Sequence, residues 1–190
     1  MKINYEALVY DADPDNRILA AEHGYGLDIL IHDPVPEVRL AVAMQGCGLD
    51  ELINDSDPVV REAATYLPLV ESANPIDRLC AIEHGVGLDK LVHDKDEYIR
   101  RMVALQGYGL DTLIRDESAS VRQAVAHMGY GLEELINDED TWVRVRVAQH
   151  GFGLDVLVND PKWQVRKAVA EQGYSLNILV NDTDSLVRDA

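Results

Sequence analysis

Nine arginines recur along the chain at a nearly constant interval. Successive members are 22 residues apart, except that Arg61 and Arg78 are separated by 17. The nine are Arg17, Arg39, Arg61, Arg78, Arg100, Arg122, Arg144, Arg166 and Arg188. An interval of this length indicates supersecondary units that stack on their neighbours, because one such unit cannot bury its apolar side chains alone. The sequence therefore predicts an array of repeats in place of one central core.

Each repeat contains two apolar segments separated by a Gly-x-Gly turn. In one repeat, Val121, Val125 and Met128 follow each other at helical spacing and so lie on one face of a predicted helix. Gly129 is expected to end that helix, as glycine commonly does at a helix C-terminus. The apolar residues in 132–136 have room for about two turns, so a second, very short α or 3₁₀ helix is expected there.

Each repeat also places an aspartate six residues before its arginine, in a pattern that reads Asp-x-Asp-x-x-Val-Arg-x-Ala-Val-Ala. The pairs are Asp33–Arg39, Asp55–Arg61, Asp94–Arg100, Asp116–Arg122, Asp138–Arg144, Asp160–Arg166 and Asp182–Arg188. This pattern resembles HEAT-like repeats, and the short unit with its small second helix resembles the leucine-rich repeat variant. The resemblance implies an all-α, right-handed α-solenoid of about eight 22-residue repeats, each an α-helix followed by a short α or 3₁₀ helix. It covers essentially the whole chain but is nearly silent on function.

The one shorter interval between arginines coincides with an irregular segment. Residues 66–75 lack the Gly-x-Gly turn and contain two prolines. Because proline ends helices, we expect this seam to bend or twist the stack. The predicted organisation is a single solenoid over 1–190, with sub-blocks 1–65 and 76–190 joined by the seam.

The chain is strongly acidic, with a formal net charge of −17 from 17 basic and 34 acidic residues. A nucleic-acid groove needs clustered lysine and arginine, so direct nucleic-acid binding is not expected. The acidity serves solubility in the first place, and it also allows a cationic protein partner. No apolar run approaches the ~18 residues of a membrane-spanning helix, and the two cysteines form no framework. We therefore expect a cytoplasmic protein that does not bind membranes.

Two repeating columns of polar residues need an explanation. The nine arginines are predicted to form a structural ladder, each donating to an aspartate of its own or the neighbouring repeat and to loop carbonyls. The second column, just before the first glycine of each turn, is expected to be packed on the apolar face and bonded to backbone. It comprises His23, Gln45, Leu67, His84, Gln106, Met128, His150 and Gln172. A metal would need three or four converging ligands, so neither a metal nor a cofactor is expected.

Three aromatic residues near the start of the predicted long helices are candidate interface residues. They are Tyr98, Trp142 and Trp163, and the first sub-block has no aromatic residue in that place. Tyrosine and tryptophan on accessible surfaces are the usual anchors of a protein interface. These residues therefore predict a protein-binding surface in the second sub-block.

The absence of catalytic motifs bears on the expected function. No nucleophile, phosphate-loop or metalloprotease motif occurs, so no catalytic residue is assigned and no enzymatic activity is expected. The leading hypothesis is a non-catalytic protein–protein interaction scaffold, and the alternative is an acidic decoy that mimics nucleic-acid charge and blocks a basic protein surface. Because the chain stops just inside a repeat, Leu176, Leu179 and Val180 are expected to form an uncovered face through which the protein self-associates weakly.

Overall fold

The computed structural model describes residues 3–190, and over that range the protein is all-helical, with no strand. Helices of nine residues alternate with helices of four. The nine-residue helices are α2 (Pro14–Glu22), α4 (Pro36–Met44), α6 (Pro58–Tyr66), α7 (Pro75–Glu83), α9 (Glu97–Leu105), α11 (Ala119–His127), α13 (Thr141–Gln149) and α15 (Trp163–Glu171). The four-residue helices are α1 (Tyr5–Leu8), α3 (Leu27–Leu30), α5 (Leu49–Leu52), α8 (Leu88–Leu91), α10 (Leu110–Leu113), α12 (Leu132–Leu135), α14 (Leu154–Leu157), α16 (Leu176–Leu179) and α17 (Ser185–Arg188). A 3₁₀ helix, Leu67–Glu71, lies between α6 and α7.

The helices pack in chain order within two compact units, Met1–Gly87 and Leu88–Ala190. In the first unit α2 packs on α4, α4 packs on α6, and the 3₁₀ helix contacts both α6 and α7. In the second unit α9 packs on α11, α11 on α13, α13 on α15, and α15 on α17. The predicted seam, 66–75, lies inside the first unit, and the division into 1–65 and 76–190 stays a prediction.

Local sequence signals determine where each long helix begins and ends, as α13 illustrates. The Asp140 carboxylate precedes the helix and accepts hydrogen bonds from the backbone N–H groups of Trp142 and Val143. It thereby satisfies two donors that have no partner within the helix. At the other end Gly151 has φ 72°, and Phe152 donates its N–H back to Val147. Glycine adopts this left-handed conformation without a steric cost, so the chain can turn into the next short helix.

The core of each unit is formed by the last leucine of most short helices and by two to four apolar residues of each long helix. The last leucine of the short helices is at most 2% exposed; the set is Leu30, Leu52, Leu91, Leu113, Leu135, Leu157 and Leu179. The long helices contribute the Val or Ile before the ladder arginine and small residues after it, such as Ala126 and Ala148. Small side chains allow close helix packing, and each buried leucine contributes about 2 kcal/mol.

The structure corrects the expectation that Leu179 lies on an uncovered face. Leu179 occupies the buried leucine position of its short helix and is therefore inside the core. Its neighbours Leu176 and Val180 are exposed. Self-association through those two side chains stays a prediction, but Leu179 has no part in it.

The column before the first turn glycine is not buried, contrary to the sequence-based expectation. Three of its histidines do bond to backbone carbonyls, as expected: His23 to Leu19, His84 to Cys80 and His150 to His127. Every member is exposed except Leu67, which is half-buried. The residues His23, Gln45, His84, Gln106, Met128, His150 and Gln172 are each the C-cap of a long helix. The apolar spacing continues for one residue beyond the last residue of the helix, and at that residue the chain already turns toward solvent. His23 and His84 instead stack on Tyr5 and Tyr66, with ring centroids 4.0 and 3.7 Å apart.

The seam preserves one packing contact of the regular repeats. In a regular repeat Ile31 lies against Gly48, a glycine 17 residues later in the chain. In the seam Val70 lies against Gly87, which is also 17 residues later. The 3₁₀ helix places Val70 in the core, where it is buried. The segment has therefore lost its glycine turn but still supplies the apolar residue that the following turn requires.

Candidate functional site

The ladder arginines bind the aspartate that comes 16 residues later in the chain. Arg122 donates from Nε to Asp138 Oδ2 at 2.7 Å and from Nη2 to Asp138 Oδ1 at 2.9 Å. Its remaining nitrogen, Nη1, donates to the backbone carbonyl of Asp116 at 2.8 Å. Asp138 Oδ1 also accepts the N–H of Asp140 at 2.8 Å. Both side chains of the pair are buried except for about a tenth of their surface.

The same arrangement recurs in both units and links consecutive repeats. The bidentate pairs are Arg17–Asp33, Arg39–Asp55, Arg100–Asp116, Arg122–Asp138, Arg144–Asp160 and Arg166–Asp182. Each of these aspartates receives one arginine at its carboxylate and the next arginine at its backbone carbonyl, as Asp116 does from Arg100 and Arg122. Charge-assisted bidentate bonds are strong and directional, so the ladder fixes the register of neighbouring repeats.

The ladder is incomplete at the seam. Arg61 donates from Nη1 to the backbone carbonyls of Asp55 and Ser56 at 2.5 and 2.9 Å. Within residues 3–190 no carboxylate forms an ion pair with it. Ser72 stands where the shortened repeat would have its aspartate, and its hydroxyl donates to Asp77 Oδ2 at 2.6 Å while its carbonyl accepts Arg78 Nη1 at 2.7 Å.

The ladder changes the acidity of its aspartates. The hydrogen bonds from Arg166 lower the pKa of Asp182 to about 2. The hydrogen bonds from Arg39 likewise lower the pKa of Asp55. In each pair the pKa falls because hydrogen bonds from a guanidinium favour the charged carboxylate. The guanidinium nitrogens of the bidentate pairs are occupied by these bonds, so the ladder itself offers little to a ligand. Residues on the outer surface are therefore better placed to form a functional site.

The structure exposes two of the three predicted interface aromatics and partly covers the third. Tyr98, near the start of α9, is 47% exposed, and Trp142, near the start of α13, is 55% exposed. Trp163 is the first residue of α15 and is half-buried. Tyr98 and Trp142 each lie two residues before a ladder arginine, so they occupy equivalent positions on their helices.

The helix between these two aromatics carries smaller residues at the equivalent positions, and an open pocket lies over it. Ser120 of α11 occupies the position equivalent to Tyr98 and Trp142. It lines an open pocket of about 330 Å³ together with Ala124 of the same helix. Ala124 in turn stands where α9 has Met102 and α13 has Arg146.

The polar lining of the pocket comes from three successive long helices of the second unit. Arg101 projects from α9, Gln123 and His127 from α11, and Arg146 from α13. The Arg101 guanidinium lies 5.7 Å from the centroid of the Tyr98 ring, within range of a cation–π contact. Arg146 donates from Nη1 to Gln149 Oε1 at 2.9 Å. The pocket is therefore a small cationic site on an otherwise acidic chain.

Sequence reasoning found the aromatics of this surface but not its arginines. Arg101 and Arg146 lie outside the 22-residue column, so the repeat pattern gives them no role. A usable signal existed, since only three of the arginines, these two and Arg115, fall outside the column. That the two line one pocket depends on the packing of α9, α11 and α13, which the repeat pattern does not specify.

Comparisons and searches for other kinds of site add little to this description. A scan against protein-family models finds no match, and a search of the curated proteins finds none. Over residues 3–190, no group of three or more His, Cys, Asp or Glu side chains is placed to bind a metal ion. In the same range no helix has the length and apolar character needed to cross a membrane.

Proposed function

We propose that this protein is a right-handed α-solenoid of the HEAT-like, leucine-rich-repeat-variant kind, with about eight repeats, that acts as a non-catalytic scaffold for protein–protein interaction. The observation that carries the proposal is the pair Tyr98 and Trp142, exposed at equivalent positions on α9 and α13. The packing of consecutive long helices and the arginine ladder support the architecture. The two free cysteines, Cys47 and Cys80, are consistent with a reducing cytoplasm.

The arrangement of the two aromatics suits a protein partner. Exposed tyrosine and tryptophan contribute most of the binding energy in many interfaces, particularly when polar groups surround them. Here Arg101 lies 5.7 Å from the Tyr98 ring, and Gln123 bonds the carboxylate of Asp140, which also accepts the backbone N–H of Trp142. The ladder keeps α9, α11 and α13 in register, so the binding surface is ordered before the partner arrives and less conformational entropy is lost on association.

A binding role accounts for the pocket better than a catalytic role. The only hydroxyl among its lining residues is that of Ser120, whose Oγ lies 2.9 Å from Ser118 Oγ, a contact that anchors the start of α11. A catalytic serine would instead be bonded to a general base such as the His127 imidazole. We therefore assign these residues to recognition.

Site-specific photocrosslinking tests the proposal. A photoreactive phenylalanine analogue would replace Trp142 in one variant and Val156, an exposed residue of the short helix α14, in a matched control. We expect one discrete protein to crosslink at position 142 in cells and not at position 156. The same products from both positions, or none from 142, would contradict the proposal.

An acidic decoy is the second candidate, and the exposed carboxylates of the short helices favour it. In the second unit, one acidic side chain follows the first leucine of each of α8, α10, α12 and α14; these are Asp89, Asp111, Glu133 and Asp155, all exposed. A decoy that binds a basic surface through such groups would lose affinity steeply with added salt. A partner bound through Tyr98 and Trp142 would keep most of its affinity.

A further inference from the structure

We infer that the pocket over α11 binds a small phosphate monoester. The ligand's phosphate would lie between Arg101 and Arg146, and its organic part would lie against Leu105 and Ala124. This activity goes beyond protein binding, and it does not require that the proposed protein partner exists. It assigns a small-molecule site to a chain whose composition gives no reason to expect an anionic ligand.

The distribution of arginines is the first argument. Nine belong to the ladder column, and Arg115 binds Glu134 through Nε and Nη2 at 2.9 and 3.0 Å. The remaining two, Arg101 and Arg146, both line this pocket. Within residues 3–190 neither forms an ion pair with a carboxylate, although acidic residues outnumber basic ones by 34 to 17. A ligand anion would thus meet two guanidinium groups that no internal carboxylate neutralises.

The chemistry of the lining is the second argument. Guanidinium groups present forked N–H donors that match two phosphate oxygens, and arginine is preferred wherever such recognition is needed. The contacts with the Tyr98 ring and with Gln149 restrict the two side chains but leave several of their N–H groups available. Gln123, Ser120 and His127 add further polar groups at the same pocket. One carboxylate is close by, because Gln123 Nε2 donates to Asp140 Oδ1 at 3.3 Å.

The size and shape of the pocket set the class of ligand. Its volume, about 330 Å³, is near the lower limit of the roughly 300–1,000 Å³ typical of small-molecule sites. It is open to solvent, so a compact monoester with one ring fits better than a dinucleotide. The apolar side chains Leu105 and Ala124 provide contact for that ring, whereas inorganic phosphate would gain nothing from them.

A nuclear magnetic resonance titration of the full chain tests this inference. Phenyl phosphate would be added at constant ionic strength, with phenol and inorganic phosphate in parallel titrations. We expect saturable shifts of the Gln123 side-chain amide and the backbone amides of α11 with phenyl phosphate, weaker binding of inorganic phosphate, and no saturation with phenol. Absence of saturation with phenyl phosphate up to about 50 mM, or equal responses to phenol, would overturn the inference, since charged hydrogen bonds should give at least millimolar affinity.

Matched variants assign the binding to the two arginines. Arg101→Gln plus Arg146→Gln should weaken phenyl phosphate at least about tenfold, because two charge-assisted contacts are lost. Arg115→Gln removes a third arginine outside the column and should leave affinity unchanged. If the double variant unfolds, Arg146→Gln alone, at an exposed position, serves the same comparison. Equal affinity in the arginine variants and in Arg115→Gln would overturn the assignment. Failure here leaves the protein-binding proposal intact, since that rests on Tyr98 and Trp142.

Discussion

Arg122 binds the carboxylate of Asp138 through two nitrogens and the backbone carbonyl of Asp116 through a third. One buried side chain therefore joins its own repeat to the next. Because helices of nine and four residues are too short to be stable in isolation, such contacts and the leucine core must supply the stability of the units.

Loss of an interior ladder arginine should be strongly destabilising. Arg122→Ala removes both donors from a nearly buried carboxylate, so we expect the free energy of unfolding to fall by about 2–4 kcal/mol. Arg101→Ala, on the same kind of helix but outside the column, should cost less than about 0.5 kcal/mol. Denaturant melts of the two variants measure the difference, and equal small losses would refute a structural role for the ladder.

The interrupted ladder at the seam predicts unequal effects at two equivalent arginines of the first unit. Arg39 binds the Asp55 carboxylate at 2.7 Å through both Nε and Nη2, whereas Arg61 donates only to carbonyls. Arg39→Ala should therefore cost about 2–4 kcal/mol and Arg61→Ala about 1 kcal/mol. A loss at Arg61 as large as that at Arg39 would show that the carboxylate contact is not the main source of the ladder's stability.

The lowered pKa of Asp182 predicts acid sensitivity. Because the pKa in the folded state is about 2, below that of the unfolded chain, the stabilisation from Asp182 is fully present above about pH 4 and is lost as the pH falls toward 2. It amounts to about 2 kcal/mol. Asp55, whose pKa is also lowered by its arginine, contributes in the same direction.

Arg166→Ala provides the matched test of that pH dependence. Without the guanidinium the pKa of Asp182 should rise toward its ordinary value, and the decrease in unfolding free energy between about pH 4 and pH 2 should be smaller than in the parent. Carboxyl titration by nuclear magnetic resonance and denaturant melts at several pH values measure both quantities. An unchanged Asp182 pKa in the variant would contradict the assigned cause.

The two glycines of one turn should differ in their tolerance of a side chain. Both have positive φ, but a Cβ at Gly151 would meet open space, whereas one at Gly153 would lie 2.1 Å from Ile136 Cδ1. Gly151→Ala should cost about 1–2 kcal/mol from backbone strain alone, and Gly153→Ala about 2–4 kcal/mol because the half-buried Ile136 side chain must also shift. Combining Gly153→Ala with Ile136→Ala should show favourable coupling in thermal or denaturant melts; additive losses would exclude the proposed clash.

The sequence predicted the repeating elements well because their signals are local. The spacing of Val121, Val125 and Gly129 was enough to place a helix and its end, and the structure has α11 followed by that glycine. The sequence could not show which aspartate each ladder arginine binds, because an aspartate of the same repeat and one of the next repeat are both available. Exposure of Met128 was missed, since periodicity alone does not show where a helical face stops.

The repeat pattern could not predict the packing of the seam or the presence of the pocket, and the reason is different. Val70 makes the same contact with a turn glycine as its counterparts in the regular repeats. It does so from a 3₁₀ helix that has no Gly-x-Gly turn before it, so the repeat pattern gives no sign of the contact. The pocket lies over α11, where Ser120 and Ala124 are smaller than the residues at the equivalent positions of the two adjacent helices. Such differences between neighbours matter only after the helices are packed, so composition and period do not reveal them.

The most direct test of the proposed role is the affinity of the partner identified by crosslinking for two double variants. Tyr98→Ala plus Trp142→Ala removes the proposed anchors. Tyr130→Ala plus Tyr174→Ala removes two other exposed aromatics, one from a Gly-x-Gly turn and one from the corresponding turn before α16. We expect the first variant to lose at least about 2 kcal/mol of binding free energy while keeping its helical circular dichroism, and the second to bind like the parent. Equal affinities of the two variants would contradict the account.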